Sequence, residues 1–179
     1  MINATERSRK MLHAVSDRCR VSLRLVLSIL IVSAASVTFA QDSQLAALRR
    51  ATAAFHDIDV AMAAGWSEEI TGCRESSEGG MGYHFANFDV LLDAELDPLR
   101  PEAMLYEPRP NGDLRLVAVE YVIPEGFLPR TAEPPVVLGR ELHFSEANLA
   151  WILHVWLWRH NPSGMFADWN PRVSCDSAY

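Results

Sequence analysis

His84, Glu120 and His154 each interrupt an apolar run, and they are the side chains best suited to do chemistry. His84 lies in Tyr83-His84-Phe85, Glu120 in Val117-Ala118-Val119-Glu120-Tyr121-Val122-Ile123, and His154 in Trp151-Ile152-Leu153-His154-Val155-Trp156. A carboxylate among such neighbours costs several kcal/mol to bury (roughly, by transfer measurements) unless it is paired or protonated. Two imidazoles and one carboxylate are also the donor set of several zinc and non-haem iron sites. His143, between Leu142 and Phe144, is a candidate fourth ligand, and Glu107 a candidate acceptor fixing a histidine tautomer. Met81, Met104 and Met165 put copper beside zinc and iron as the metal. No His-Glu-x-x-His or His-x-His spacing occurs, so convergence of these residues depends wholly on the fold.

Two other readings use the same residues. Glu120 could form a buried structural pair with a histidine or with Arg115, Arg140 or Arg159. Alternatively Tyr83, Phe85, Tyr106, Tyr121, Trp156 and Trp158 could line a metal-free pocket for a small ligand, with Glu120 as its polar contact. A desolvated Glu120 could serve there as acid or base. Gly-x-Ser-x-Gly, Cys-x-x-Cys and Cys-x-x-Cys-His are all absent, as is a lysine to complete a phosphate loop around Gly79-Gly80-Met81-Gly82.

The elements that must position these residues read as helix first, then strands. Leu48, Ala51, Phe55, Ile58 and Met62 make one apolar stripe at 3,4 spacing and predict an amphipathic helix over 43–64. His56 falls off that stripe and reads as a surface histidine. Tyr83-His84-Phe85 predicts a short strand, and 88–96 a helical turn or two. Asn111-Gly112 predicts a hairpin between strands starting at Ala103 and Leu114. On the second of these strands, alternation groups Glu120 with Leu116, Ala118 and Val122. The run 151–160 predicts a central strand, apolar on both faces, with His154 buried beside Trp156 and Trp158. The proline-rich stretch 124–140 reads as a long connection. Together these predict an α+β fold, an N-terminal helix packed on a small, mainly antiparallel sheet.

The first forty residues carry six basic side chains, an apolar run over 25–37 and Thr38-Phe39-Ala40, the pattern of a cleaved signal peptide for the general secretory route. One domain over 41–179, periplasmic or extracellular and free of the membrane after cleavage, is the expectation. From residue 41 on, twenty-one Asp plus Glu face ten Arg and no Lys, a poor partner for nucleic acid. Cys73 and Cys175 remain there, and an oxidising compartment predicts a disulfide between them. It would close a loop of about a hundred residues, worth up to roughly 4–5 kcal/mol on the chain-entropy model. A small molecule or metal ion is the expected partner, and the oligomeric state is left open.

The runs Met81-Gly82-Tyr83-His84, Leu105-Tyr106-Glu107, Val119-Glu120-Tyr121-Val122, Leu153-His154-Val155-Trp156-Leu157-Trp158 and Asn161-Pro162-Ser163-Gly164-Met165-Phe166-Ala167-Asp168-Trp169-Asn170-Pro171 resemble a family of uncharacterised exported bacterial proteins. The resemblance implies an exported single domain and brings no activity, cofactor or catalytic residue.

Overall fold

Strand-forming residues dominate the chain after residue 66, and they build one antiparallel sheet behind a short helical segment. The computed structural model describes residues 41–178. The signal-peptide expectation for 1–40 lies outside the described residues. From Gln44 on, the chain clusters as one unit. Its strands are β1 (Glu68–Glu69), β2 (Arg74–Ser76), β3 (Gly79–Ala86), β4 (Ala103–Pro108), β5 (Leu114–Pro124), β6 (Val136–Val137), β7 (Arg140–Glu141), β8 (His143–Ser145) and β9 (Ala150–Val155). Seven of them form a sheet in the order β1-β3-β4-β5-β9-β8, with β2 added on β3, while β6 and β7 pair separately. Every pairing is antiparallel. The fold is α+β, as the order of elements predicts.

Instead of one helix over 43–64, the structure has three pieces: α1 through 41–52, a 3-10 turn at Ala53–His56, and α2 at Ile58–Ala63. Asp57 causes the break. Its backbone is extended (φ −89°, ψ 113°), and its carboxylate caps α2 by accepting the Asp59 N–H at 3.0 Å. The restart shifts the phase of the apolar stripe. Leu45, Leu48, Thr52 and Ala61 are buried, whereas Ala51 and Met62 are exposed. Phe88–Leu91 forms α3, a single turn capped by Asn87.

The hairpin of β4 and β5 follows the Asn111-Gly112 signal, but β5 contains a bulge. Tyr106 pairs with Leu116 and Leu105 with Ala118, so Val117 is an extra residue. The bulge moves Leu116 to the face of Val119 and Tyr121, which corrects its predicted grouping with Glu120. The Val117 carbonyl is not orphaned, since it accepts the N–H groups of Trp158 and Arg159 at 3.1 Å each. Strand β9 also ends earlier than predicted and lies one in from the sheet edge. After Val155 the Trp156 N–H goes to Met165 O at 2.9 Å, and the backbone leaves the ladder. Alternation fails from there. Trp158 packs against the core on one face of the sheet, while Trp156 belongs to the cluster on the other.

Each face has its own cover. On the first, Tyr83, Phe85, Met104, Tyr106, Val119, Tyr121, Leu153 and Val155 pack with Leu48 and Ala61 of the helices and with Leu138 and Leu142. The second carries Met81, Ala103, Leu105, Val117, Ala118, Trp156 and Val173, joined by Trp169. Here the cover is the C-terminal tail. A Cβ on Gly79 would lie 2.3 Å from Asn170 O, and Gly79 itself has φ +126°, so only glycine lets the tail dock this closely. Gly80 and Asn170 then exchange N–H···O bonds at 3.1 Å each. Cys73 and Cys175, Cα atoms 5.8 Å apart, form the disulfide that ties the tail to the loop before β2.

Candidate metal centre

Pleating decides which side chains meet on the tail-covered face. On β5, Glu120 points opposite to Val119 and Tyr121. On β9, His154 points opposite to Leu153 and Val155, and on β3, His84 opposite to Tyr83 and Phe85. Glu120 and His154 are direct cross-strand neighbours. His84 is two strands from Glu120, a lateral step of about 9–10 Å. His84 is also two residues off the row of Glu120, since it pairs with Leu105 while Glu120 pairs with Ala103, so the two side chains meet on a diagonal. The result is a buried cluster, with the three residues 1–4 % exposed. His154 Nε2 lies 3.4 Å from Glu120 Oε1, and His84 Nε2 lies 3.7 Å from Glu120 Oε2. The imidazole rings are near-perpendicular, centroids 6.0 Å apart. One donor atom from each residue falls within 4.8 Å of the others.

The outer nitrogens fix the tautomers. Thr71 Oγ1 gives its proton to Gly72 O at 2.8 Å and lies 3.0 Å from His84 Nδ1. With its one proton on Gly72 O, the hydroxyl accepts from the imidazole; in that arrangement His84 carries its hydrogen on Nδ1 and turns Nε2 toward the cluster. His154 Nδ1 lies 3.3 Å from Asp168 Oδ1. Burial opposes ionisation of Asp168, but hydrogen bonds from His143 and His154 outweigh it and hold the carboxyl below its usual range. Asp168 is therefore an acceptor, His154 donates to it from Nδ1, and its Nε2 is turned toward the cluster. That Nε2 is buried without a hydrogen-bond partner, even 3.4 Å from Glu120.

Burial pushes the Glu120 carboxyl up from its ordinary value, with facing His154 opposing the rise and Asp168 adding to it. Burial likewise pushes His84 down to about 3, helped by the neighbouring His154 and Arg74. Two imidazole lone pairs thus converge on one carboxyl group. If ionised, that group adds only acceptors. If protonated, it supplies one hydrogen and leaves an imidazole nitrogen with none. A cation between the three groups satisfies all of them. Ligands 2.0–2.2 Å from a tetrahedral metal are about 3.4 Å from each other, close to the two separations from Glu120, while the donor set as a whole spans up to 4.8 Å and must draw in to hold an ion.

His143 lies opposite Ile152 on the next strand, which puts it on the same face as His154. It does not join the cluster. Half-exposed, its Nε2 meets Asp168 Oδ2 at 3.1 Å, and that bond raises its pKa. Glu120, His154, Asp168 and His143 consequently form one continuous polar chain from the interior to the surface. Glu107 pairs with Arg115 and accepts the Ser174 N–H at 3.3 Å, far in the network from either cluster histidine. None of the three arginines considered for Glu120 reaches it. Arg115 is taken by Glu107, Arg140 lies 4.7 Å over the Phe166 ring, and Arg159 donates to Arg172 O. The aromatic pocket does not assemble around Glu120 either, because Tyr83, Phe85, Tyr106 and Tyr121 occupy the helix-covered face.

Sequence reasoning missed Thr71 and Asp168. Asp168 sits within Phe166-Ala167-Asp168-Trp169-Asn170, and the reason for that run is now visible. The carbonyls on either side of Asp168 are clamped, Ala167 O by the Trp156 indole at 2.6 Å and Trp169 O by the Asn161 amide at 3.0 Å. The clamps aim the carboxylate at both histidines. Glu102, also missed, is 2 % exposed and accepts the Val122 N–H at 3.0 Å, and burial pushes its carboxyl up to about 8.

A cavity of about 470 Å³ opens beside the cluster, with His84, Glu120 and Asp168 on its wall. No helix among the described residues is long and apolar enough to cross a membrane. Comparison with protein-family models, with curated proteins and with solved structures found no match to this chain.

Proposed function

We propose that this chain is an exported metalloprotein in which His84 Nε2, His154 Nε2 and the Glu120 carboxylate hold one divalent transition metal. The observation that supports this most directly is the buried His154 Nε2, which faces the cluster with no hydrogen-bond partner among the described residues. Thr71 and Asp168 behind the two imidazoles are the outer partners that metal-bound histidines characteristically have. Nitrogen and carboxylate donors suit zinc or iron(II). Copper held by several methionines gains less support, since Met104 and Met165 pack with the opposite face and, of the three, Met81 alone lies on the cavity wall beside the cluster.

Three protein ligands beside an open cavity are the pattern of a catalytic site more than of a closed structural one. A metal so held polarises an oxygen bound in the remaining position, whether of water or of a substrate. The disulfide fits an oxidising compartment, in keeping with export.

The test is elemental analysis of protein purified from the periplasm without chelator or affinity tag, beside His154→Ala and the near-isosteric Glu120→Gln. Close to one equivalent of zinc or iron in the wild type, lost in both variants, is the expected result. Folded wild type that neither carries metal nor takes it up on titration would overturn the reading and leave a structural polar cluster.

A further inference from the structure

The cavity beside the cluster contains an unanswered charge. Of the acids on its wall, Glu120 belongs to the cluster and Asp168 is bonded to His143 and His154. Arg74 is the arginine on the same wall. It is exposed, and its side chain makes no salt bridge or hydrogen bond among the described residues, although acids outnumber arginines about two to one from residue 41 on. Among the described residues the arginines that pair with acids are Arg115 and Arg130, so what sets Arg74 apart is its place on the wall of this cavity. Arg74 is also well placed. It sits on β2 opposite Gly82, next to the disulfide at Cys73, and close enough for its charge to act on His84. Much of the remaining wall is apolar, including Met81, Val122, Ile152 and Trp169. The volume is within the range of small-ligand sites, roughly 300–1,000 Å³.

We propose that this cleft binds a small monocarboxylate with an apolar body, its carboxylate on the Arg74 guanidinium and its body against Met81, Val122, Ile152 and Trp169. Guanidinium and carboxylate match as a two-point, charge-assisted pair, which a neutral head group cannot reproduce. The open side of the cluster then faces the bound molecule. That last point rests on the metal reading above, whereas the pairing with Arg74 does not.

The experiment is titration calorimetry with octanoate and with octanamide, on protein as isolated and after chelation, for wild type and Arg74→Gln. Octanoate is expected to bind wild type, with octanamide weaker by about tenfold or more and octanoate weakened by a similar factor in Arg74→Gln. Arg74 is exposed, so the variant should fold, and the amide comparison on wild type needs no variant. Equal affinity for acid and amide, unchanged affinity in Arg74→Gln, or no octanoate binding would each overturn the proposal. Arg74-dependent binding by a protein that neither carries metal as isolated nor takes it up on titration would uphold it and reject the metal reading. One equivalent of metal with no octanoate binding would do the reverse.

Discussion

The two faces of this sheet treat their buried polar groups differently. Under the helices, four core side chains find carbonyls: Tyr106 donates to Phe55 O and Tyr121 to Pro98 O at 2.7 Å each, Trp66 to Pro101 O at 2.9 Å, and Trp151 to Leu128 O at 3.2 Å. The Trp158 indole, at the margin of this core, is an exception. Under the tail, the groups with greatest need of partners, two imidazoles and a carboxylate, are turned toward one another with too few protons to go round. A buried polar group left unsatisfied costs about 1–3 kcal/mol. The first face therefore reads as stability and the second as a site, held at some cost to stability by a tail with its own disulfide.

Substitutions at comparable depth on the two faces should separate these roles. Leu153→Ala, on β9 beside His154 but pointing into the helix-covered core, should destabilise by about 2–5 kcal/mol in urea unfolding. Metal bound per folded molecule should not change. Loss of metal from folded Leu153→Ala would show that the faces are not independent.

Glu102→Gln asks whether any buried carboxyl would behave like Glu120. The folded value for Glu102, about 8, is above the ordinary 4.5. Between those pH values the folded protein keeps a proton that the unfolded chain has lost, so stability falls as pH rises through this window. Glutamine can still accept the Val122 N–H and does not ionise. The variant should match wild type near pH 4.5 and exceed it by about 4 kcal/mol at pH 8, with metal content unchanged. An equal difference at both pH values would contradict the assignment.

The smallest effect is the most discriminating. Glu120→Gln offers an amide N–H to the unpartnered His154 nitrogen, so in chelator-treated protein it should be neutral or stabilising by about 1 kcal/mol. A loss of several kcal/mol in thermal unfolding would mark Glu120 as a structural residue.

What was legible in the sequence follows from the range of the interactions. Strand alternation placed His84, Glu120 and His154 opposite large apolar neighbours, and Asn111-Gly112 marked the turn that sets the β4–β5 hairpin. Local patterning failed where one residue resets the phase. Asp57 does this in the helical segment, and the Val117 bulge does it in β5, carrying Leu116 to the other face. Thr71 and Asp168 come from loop and tail, where no periodicity announces a direction. Only the clamps from Trp156 and Asn161, set by three-dimensional contacts, reveal where Asp168 points.

The most direct measurement is anomalous scattering at the zinc and iron edges from crystals of protein purified without chelator. A single peak about 2.0–2.2 Å from His84 Nε2, His154 Nε2 and a Glu120 oxygen is the expected result. An empty cluster, with Glu120 simply hydrogen-bonded to one histidine, would contradict it.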